Sequence, residues 1–257
     1  MLLAVDIGNT NITFGMISEI GTIMGSFRIT TKMARTSDEF GIEIMNFLNN
    51  MQVDVTTIDA VIISSVVPKI MYSFTNSIRK YLLLEPMIIG PGIKTGISIK
   101  TDSPKELGAD KIVDAAAVYN IYGGNALIID FGTATTYDYI NENGEFLAGV
   151  ISPGIEISAQ ALWSQAAKLP EIEIKKPDSI LAKNTITSMQ AGIVYGYIGQ
   201  VEYIINQFKK ELKRNDMKVI ATGGLGRIIF NETKMIDVYD KDLTVKGMKI
   251  IYDKNKD

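Results

Sequence analysis

The chain has 257 residues and a formal net charge of -3, with neither cysteine nor histidine. Disulfides, thiol nucleophiles, Ser-His triads, histidine bases and ordinary zinc sites are therefore excluded, and any chemistry falls to carboxylates, hydroxyls, Lys, Arg, backbone amides and hard cations. The near-balanced charge argues against a nucleic-acid partner, and no apolar run reaches about 18 residues, which predicts a cytoplasmic chain without a membrane span.

In chain order, apolar runs predict a strand pair over Met1 to Ile17 and Ile23 to Ile29, turning at Glu19 to Gly21. A helix follows from Ser37, capped by Ser37-Asp38 and carrying Phe40, Ile44, Phe47 and Leu48 at helical spacing. Then come a strand at Ala60 to Ile63, a helix from Pro68 to Leu83, a turn at Gly90-Pro91-Gly92 and a short strand at Gly96 to Lys100. Ser103-Pro104-Lys105-Glu106 reads as a capping box with proline at the first helical position, opening a helix that reaches Tyr122 and stops at Gly123-Gly124. Ala126 to Ile129 predicts a strand, and Asn141 to Gly144 a hairpin. The polar stretch from Ser152 to Asn184 reads as loops around one helix, and long insertions are usually functional. A long helix spans about Thr185 to Lys213. Its Gly192, Gly196 and Gly199 fit either a tight crossing within the chain or a subunit interface.

The most informative pattern is a repeat. Leu2-Leu3-Ala4-Val5 leads into Asp6-Ile7-Gly8-Asn9-Thr10-Asn11, and Ala126-Leu127-Ile128-Ile129 leads into Asp130-Phe131-Gly132-Thr133. Each is a strand entering a turn of carboxylate, glycine and hydrogen-bond donors, a composition suited to phosphate and a hydrated cation, or else to a plain hairpin. A second repeated element follows each copy: Ala60 to Ile63 ends in Ser64-Ser65, and Val219 to Ala221 ends in Thr222-Gly223-Gly224. Two halves with the same order of parts suggest a duplicated α/β unit with a ligand in the cleft between the copies. Phosphoryl transfer suits such a site, since its catalysis is mostly positioning and charge neutralisation. Asp110 either reaches a substrate past Gly108 or is a solvated helix acid beside Lys111.

The ordered segments AVDIGNTNITFG, SSVVP, SPKELGADKIVDAAAVY, LIIDFGTATTYD, ISPGIEIS, AAKLPEIE, KNTITSMQAGIVYGYIG, ATGGL and LTVKGMKIIY resemble the type III pantothenate kinases, relatives of sugar kinases, heat-shock ATPases and actin. The resemblance implies α/β architecture with duplicated ribonuclease H-like (actin-like ATPase) domains, mixed sheets flanked by helices, over 1–117 and 118–257, the second with an insert at about 152–184. It implies transfer of the γ-phosphate of ATP to the 4′-hydroxyl of pantothenate, the first step of coenzyme A biosynthesis. The residues Asp6, Ile7, Gly8, Asn9, Thr10, Asn11, Ile12 and Thr13 would form the first ATP phosphate loop, with Asp6 organising Mg²⁺ through water. Asp110 would be the general base, and Thr101, Gly108, Ala109, Asp110, Lys111 and Thr185 would line the pantothenate pocket. Asp130 would hold a monovalent cation, K⁺ or NH₄⁺; Thr133 would touch ATP phosphate, and Thr222, Gly223 and Gly224 would lie near the adenosine. A homodimer is implied, with Thr185 offered across its interface. Two positions depart from the family pattern: Lys111 stands where arginine is usual, and Thr101 where an aromatic residue is common. The alternative is a nucleotide-binding regulatory or accessory relative without kinase activity, against which the presence of Asp6, Asp110 and Asp130 speaks.

Overall fold

A computed structural model describes residues 1–31 and 35–256 of the chain. Strands β1 (Leu2–Ile7), β2 (Asn11–Ile17) and β3 (Ile23–Thr30) form an antiparallel meander. The stretch from Met1 to Ile17, expected as one strand, is itself a hairpin: Gly8 N–H donates to the Asn11 carbonyl at 3.0 Å. Gly8, Asn9 and Thr10 carry no apolar side chain to bury, so the chain reverses there. Helix α1 (Ser37–Asn50) buries Phe40, Ile44, Phe47 and Leu48 as their spacing requires. Its cap lies one residue earlier than expected, because Thr36 and Glu39 satisfy each other's backbone N–H groups. Strand β4 (Ala60–Ser65) runs parallel to β1, and after α2 (Pro68–Tyr81) the short β5 (Met87–Ile88) pairs parallel with β4.

The short strand β6 (Ser98–Ile99) is followed by a second departure from expectation. Pro104–Glu106 form only a single 3₁₀ turn, Ser103 makes no side-chain cap, Leu107 is extended, and helix α3 runs from Ala109 to Tyr122. The cause lies at Gly108, where a Cβ would stand 2.3 Å from Asp110 Oδ1. The bare backbone lets the Asp110 carboxyl fold back over the break. Asp110 thereby occupies the first turn of α3, where the exposed N–H groups and the helix dipole favour a carboxylate.

Strands β7 (Ala126–Phe131), β8 (Ala134–Ile140) and β9 (Glu145–Pro153) repeat the meander, with the expected hairpin at Asn141 to Gly144. Helix α4 (Ile155–Gln165) is the one helix of the inserted segment, and residues 166–184 follow without regular structure. Then come α5 (Thr185–Leu212), β10 (Lys218–Thr222), α6 (Gly226–Phe230), β11 (Val238–Tyr239) and α7 (Leu243–Asn255). The first sheet has the order β3-β2-β1-β4-β5, and the second β11-β10-β7-β8-β9-β6. Read from the other edge, the second sheet repeats the first strand for strand, with β6 added beside β9. The duplication legible in the two Asp-x-Gly segments is thus a duplication of topology.

The chain divides into two compact units, Met1–Ser98 with Asp102–Ile121 and Leu243–Asp257, and Ile99–Thr101 with Tyr122–Asp242. This corrects the expected boundary at 117/118, chiefly because α7 returns to the first unit. There, Val245, Met248 and Ile251 pack with Leu2, Ala4 and Ile62 of the sheet and Val113 and Ala116 of α3. Gly15 of β2 admits Val245, whose Cγ1 would lie 2.7 Å from an added Cβ. The opposite face of the first sheet buries Leu3, Val5, Ile7 and Phe14 against Phe40 and Ile44 of α1 and Phe74 and Ile78 of α2. In the second unit, Leu127, Ile129, Phe131 and Tyr137 pack against Tyr197, Val201 and Ile205 of α5 and Ile229 of α6.

Of the two readings of the α5 glycines, a tight crossing within the chain fails. Among the described residues, a Cβ at Gly192, Gly196 or Gly199 would meet nothing within 4 Å. No helix among the described residues is long and apolar enough to cross a membrane.

Candidate active site

The first unit gathers its polar residues where β1 ends. Residues directly opposite in a sheet share a face, and here Ser64 of β4 lies opposite Asp6, Asp6 opposite Thr13 of β2, and Thr13 opposite Arg28 of β3. One row thus crosses four strands. Ser64 is fully buried, Asp6 and Thr13 are half-buried, and Arg28 is exposed. The following loop is pinned from β3 outward: Thr31 N–H donates to the Thr10 carbonyl at 2.8 Å, and Thr31 Oγ1 to the Gly8 carbonyl at 2.7 Å. Asn9, Thr10 and Asn11 are left exposed. Ile7 and Ile12, included in the expected phosphate loop, are fully buried in the core, so only their backbones remain to meet a ligand.

Asp110 joins this row from the first turn of α3. Its Oδ1 accepts the Lys111 N–H at 2.8 Å, and its carboxylate lies close enough to Asp6 for the two charges to be felt. Burial pushes the Asp6 carboxyl up from 3.8 to about 6; the Ser64 hydroxyl opposes this, the Asp110 charge adds to it, and Arg28 opposes it. Ser64 Oγ faces this carboxyl without completing a hydrogen bond of normal geometry. Two crowded carboxylates and a buried hydroxyl with bonding capacity to spare suit a hydrated cation. Among the described residues no three acidic groups converge, but Mg²⁺ held through water by one or two carboxylates needs no such cage. Gly108 and Ala109 lie at the helix entrance beside Asp110, both half-buried.

The second unit repeats the arrangement with different partners. Asp130 lies opposite Thr222 of β10 and Thr136 of β8. Two glycines flank its carboxyl: a Cβ at Gly223 would stand 2.6 Å from Oδ1, and one at Gly132 would stand 3.3 Å from Oδ2. Gly223 has φ +94°, which a side chain would strain, and its carbonyl accepts from the Tyr239 hydroxyl at 2.7 Å. Thr133 is exposed, and its carbonyl accepts the Gly154 N–H at 3.1 Å. The Tyr197 hydroxyl of α5 lies 2.6 Å from both Thr135 Oγ1 and the Pro153 carbonyl, anchoring this corner to the long helix. Thr222 is buried, whereas Gly224 is exposed beyond it.

Thr101 is half-buried just beyond β6, where Lys100 N–H donates to the Phe146 carbonyl at 2.9 Å. Thr185 is exposed at the first position of α5. It is not the cap: Asn184 Oδ1 accepts the Thr187 N–H at 2.9 Å. The site residues that sequence reading missed are Arg28 and Thr31. Both lie on or just after β3, and only the strand register brings them to Asp6 and Gly8.

The family model described as Type III pantothenate kinase matches residues 2–207. A type III pantothenate kinase of Agathobacter rectalis is 60% identical over 99% of this chain and 97% of its own length. One from Bifidobacterium longum subsp. infantis is 54% identical over 99% of both chains. Among solved structures, (R)-2-hydroxyglutaryl-CoA dehydratase component A of Acidaminococcus fermentans aligns with a TM-score of 0.55 at 13% identity, covering 98% of this chain and 96% of that one, a likeness of fold alone. With relatives this similar along nearly the whole chain, the protein belongs to the type III pantothenate kinase family.

Proposed function

We propose that the protein transfers the γ-phosphate of ATP to the 4′-hydroxyl of pantothenate, in the cytoplasm, as the first step of coenzyme A biosynthesis. The observation that carries this reading is Asp110, held in the first turn of α3 beside Asp6 by the break at Gly108. With no histidine or cysteine in the chain, a carboxylate is the available base of suitable strength. Asp110 takes the hydroxyl proton as the substrate oxygen bonds to the γ-phosphorus, and the bond to the ADP oxygen breaks. The exposed residues Asn9, Thr10 and Asn11 hold phosphate oxygens. Asp6 holds Mg²⁺ through water, and when bound that ion neutralises charge on the phosphates.

Asp130, framed by Gly132 and Gly223, is assigned the monovalent cation, K⁺ or NH₄⁺. Thr133 is assigned a phosphate oxygen of ATP, and Thr222 to Gly224 the adenosine end. Thr101, Gly108, Ala109, Lys111 and Thr185 are assigned to pantothenate, Lys111 as a point donor in place of the planar fork an arginine would supply. A homodimer formed along α5 is supported by its open glycines and by an adjoining groove of about 640 Å³ lined by Ile180, Leu181, Ser188, Gly192, Tyr195 and Gly196. Ile180 and Leu181 are 63% and 79% exposed, an apolar surface that a second copy would cover.

A coupled assay of ADP release, with and without pantothenate, tests the reaction. Release that requires pantothenate, and that falls about 10²–10⁴-fold in Asp110→Asn, is expected of a positioned base. ADP release indifferent to pantothenate would point to another ATPase, and none at all to a nucleotide-binding accessory factor.

A further inference from the structure

We propose that Arg28 binds the phosphoryl group undergoing transfer, as the cationic end of the row that runs from Ser64 through Asp6 and Thr13 across the first sheet. The inference rests on reading the loop after β1 as the phosphate site. Its geometry comes from register: Arg28 lies opposite Thr13, which lies opposite Asp6, so all three side chains leave the same face. Two residues further along β2, that face is closed by α7, where Val245 packs over Gly15. The row therefore stands where the apolar cover ends, and exposure grows along it toward Arg28.

Two observations separate this arginine from an ordinary surface charge. Among the described residues it has no ion-pair partner. And the fold does not demand a cation at this place. The equivalent row of the second sheet runs Thr222, Asp130, Thr136 and then Ile151, so an apolar residue fills the matching position. The two copies share topology and the central carboxylate, and they differ at the end of the row.

The chemistry calls for such a group. The transferring phosphoryl spreads negative charge over three oxygens, and here it approaches the carboxylates of both Asp6 and Asp110. Ser64 and Thr13 offer hydroxyl dipoles without charge. A guanidinium supplies charge together with a planar fork that matches two phosphate oxygens, and its own protons stay in place throughout.

Binding of Mg·ADP and of the non-hydrolysable Mg·AMPPNP, measured by calorimetry on wild type, Arg28→Met, Arg28→Lys and Asp6→Asn, tests this alongside steady-state kinetics. For Arg28→Met we expect AMPPNP affinity to fall about tenfold with ADP affinity nearly unchanged, and kcat to fall about 10²-fold or more at unaltered pantothenate KM. Arg28→Lys should recover part of kcat. If Arg28→Met binds both nucleotides as wild type does and turns over normally, Arg28 is an edge-strand charge and the inference is wrong. Equal weakening of both nucleotides also overturns it, since the γ-phosphate would then not be what Arg28 meets. If Asp6→Asn leaves Mg-dependent nucleotide binding intact, the phosphate-loop reading itself fails and takes the role of Arg28 with it. If Asp6→Asn abolishes that binding while Arg28→Met is silent, only the inference about Arg28 falls.

Discussion

Replacing Asp6 by Asn should stabilise the metal-free protein at neutral pH while destroying its catalysis, and the size of the effect follows from the carboxyl's surroundings. Burial and the neighbouring Asp110 charge raise its pKa from 3.8 to about 6, against the pull of Ser64 and Arg28. The folded state therefore holds the Asp6 proton more tightly than the unfolded chain does. The resulting stabilisation is fully present below about pH 4, is lost as pH rises through about 6, and is absent above that. At 1.36 kcal/mol per pH unit, the gap between 3.8 and about 6 amounts to about 3 kcal/mol. Asp6 is half-buried, so solvent relaxation reduces the measurable share to about 1–3 kcal/mol. Asn has the same shape and no charge to desolvate. Urea unfolding of both proteins in EDTA, at pH 4.5 and at pH 7.5, reads the difference directly. The stability of the variant relative to wild type should rise by about 1–3 kcal/mol between the two pH values. A relative stability that stays constant, or that falls toward neutral pH, would refute the argument that burial of this charge is costly.

Other substitutions separate roles that the fold places side by side. Gly108→Ala forces the Asp110 carboxyl aside, since the new Cβ would lie 2.3 Å from Oδ1; kcat should fall while urea stability changes by less than about 1 kcal/mol. Gly223→Ala meets both a φ of +94° and the Phe131 backbone at 2.6 Å, and should cost at least about 1–3 kcal/mol by the same unfolding measurement. Asn184→Ala should lower stability by about 1 kcal/mol through loss of the α5 cap and leave the pantothenate KM unchanged. Thr185→Ala, one residue on, should do the reverse; a raised KM at unaltered stability marks it as a ligand contact. Thr244→Val removes a hydroxyl that donates to the buried Asp114 at 2.8 Å, and should cost about 1–3 kcal/mol in urea unfolding.

Sequence reading reached furthest where chemistry and periodicity coincide. The two Asp-x-Gly segments, each followed by a strand ending in small polar residues, announced the duplicated topology. Gly192, Gly196 and Gly199 marked α5 as a helix with one bare face, but whether another part of the chain or a second copy meets that face was open until the structure showed nothing within 4 Å of it. What escaped depended on partners distant in sequence. Ser103-Pro104-Lys105-Glu106 has the composition of a capping box, yet the helix starts at Ala109, because the contact between Gly108 and its neighbour Asp110 outweighs a local start signal. Likewise Thr36 outcompetes Ser37 as a cap because Glu39 lies three residues from Thr36, the spacing that reciprocal bonding requires. Arg28 sits in a run that reads as an ordinary half-exposed strand, and only pairing through β2 brings it into line with Asp6. The placement of α7 was illegible for the same reason: Gly247 looks like a weak point in a helix until Val113 is found against it, its carbonyl oxygen 2.3 Å from where a Cβ would be.

The return of α7 to the first unit bears on how the chain is made. During synthesis Leu2, Ala4 and Ile62 emerge early, but Val245, Met248 and Ile251, which cover them, emerge only after the whole second unit. The second unit is one nearly continuous stretch and is free to fold as it leaves the ribosome. The first unit must wait, its sheet built and α3 in place, but the part of that apolar face which α7 covers left open across more than a hundred intervening residues. A nascent chain stalled before Leu243 therefore exposes an apolar surface on its first sheet. Chaperone engagement and protease sensitivity should concentrate on the part of the protein translated first.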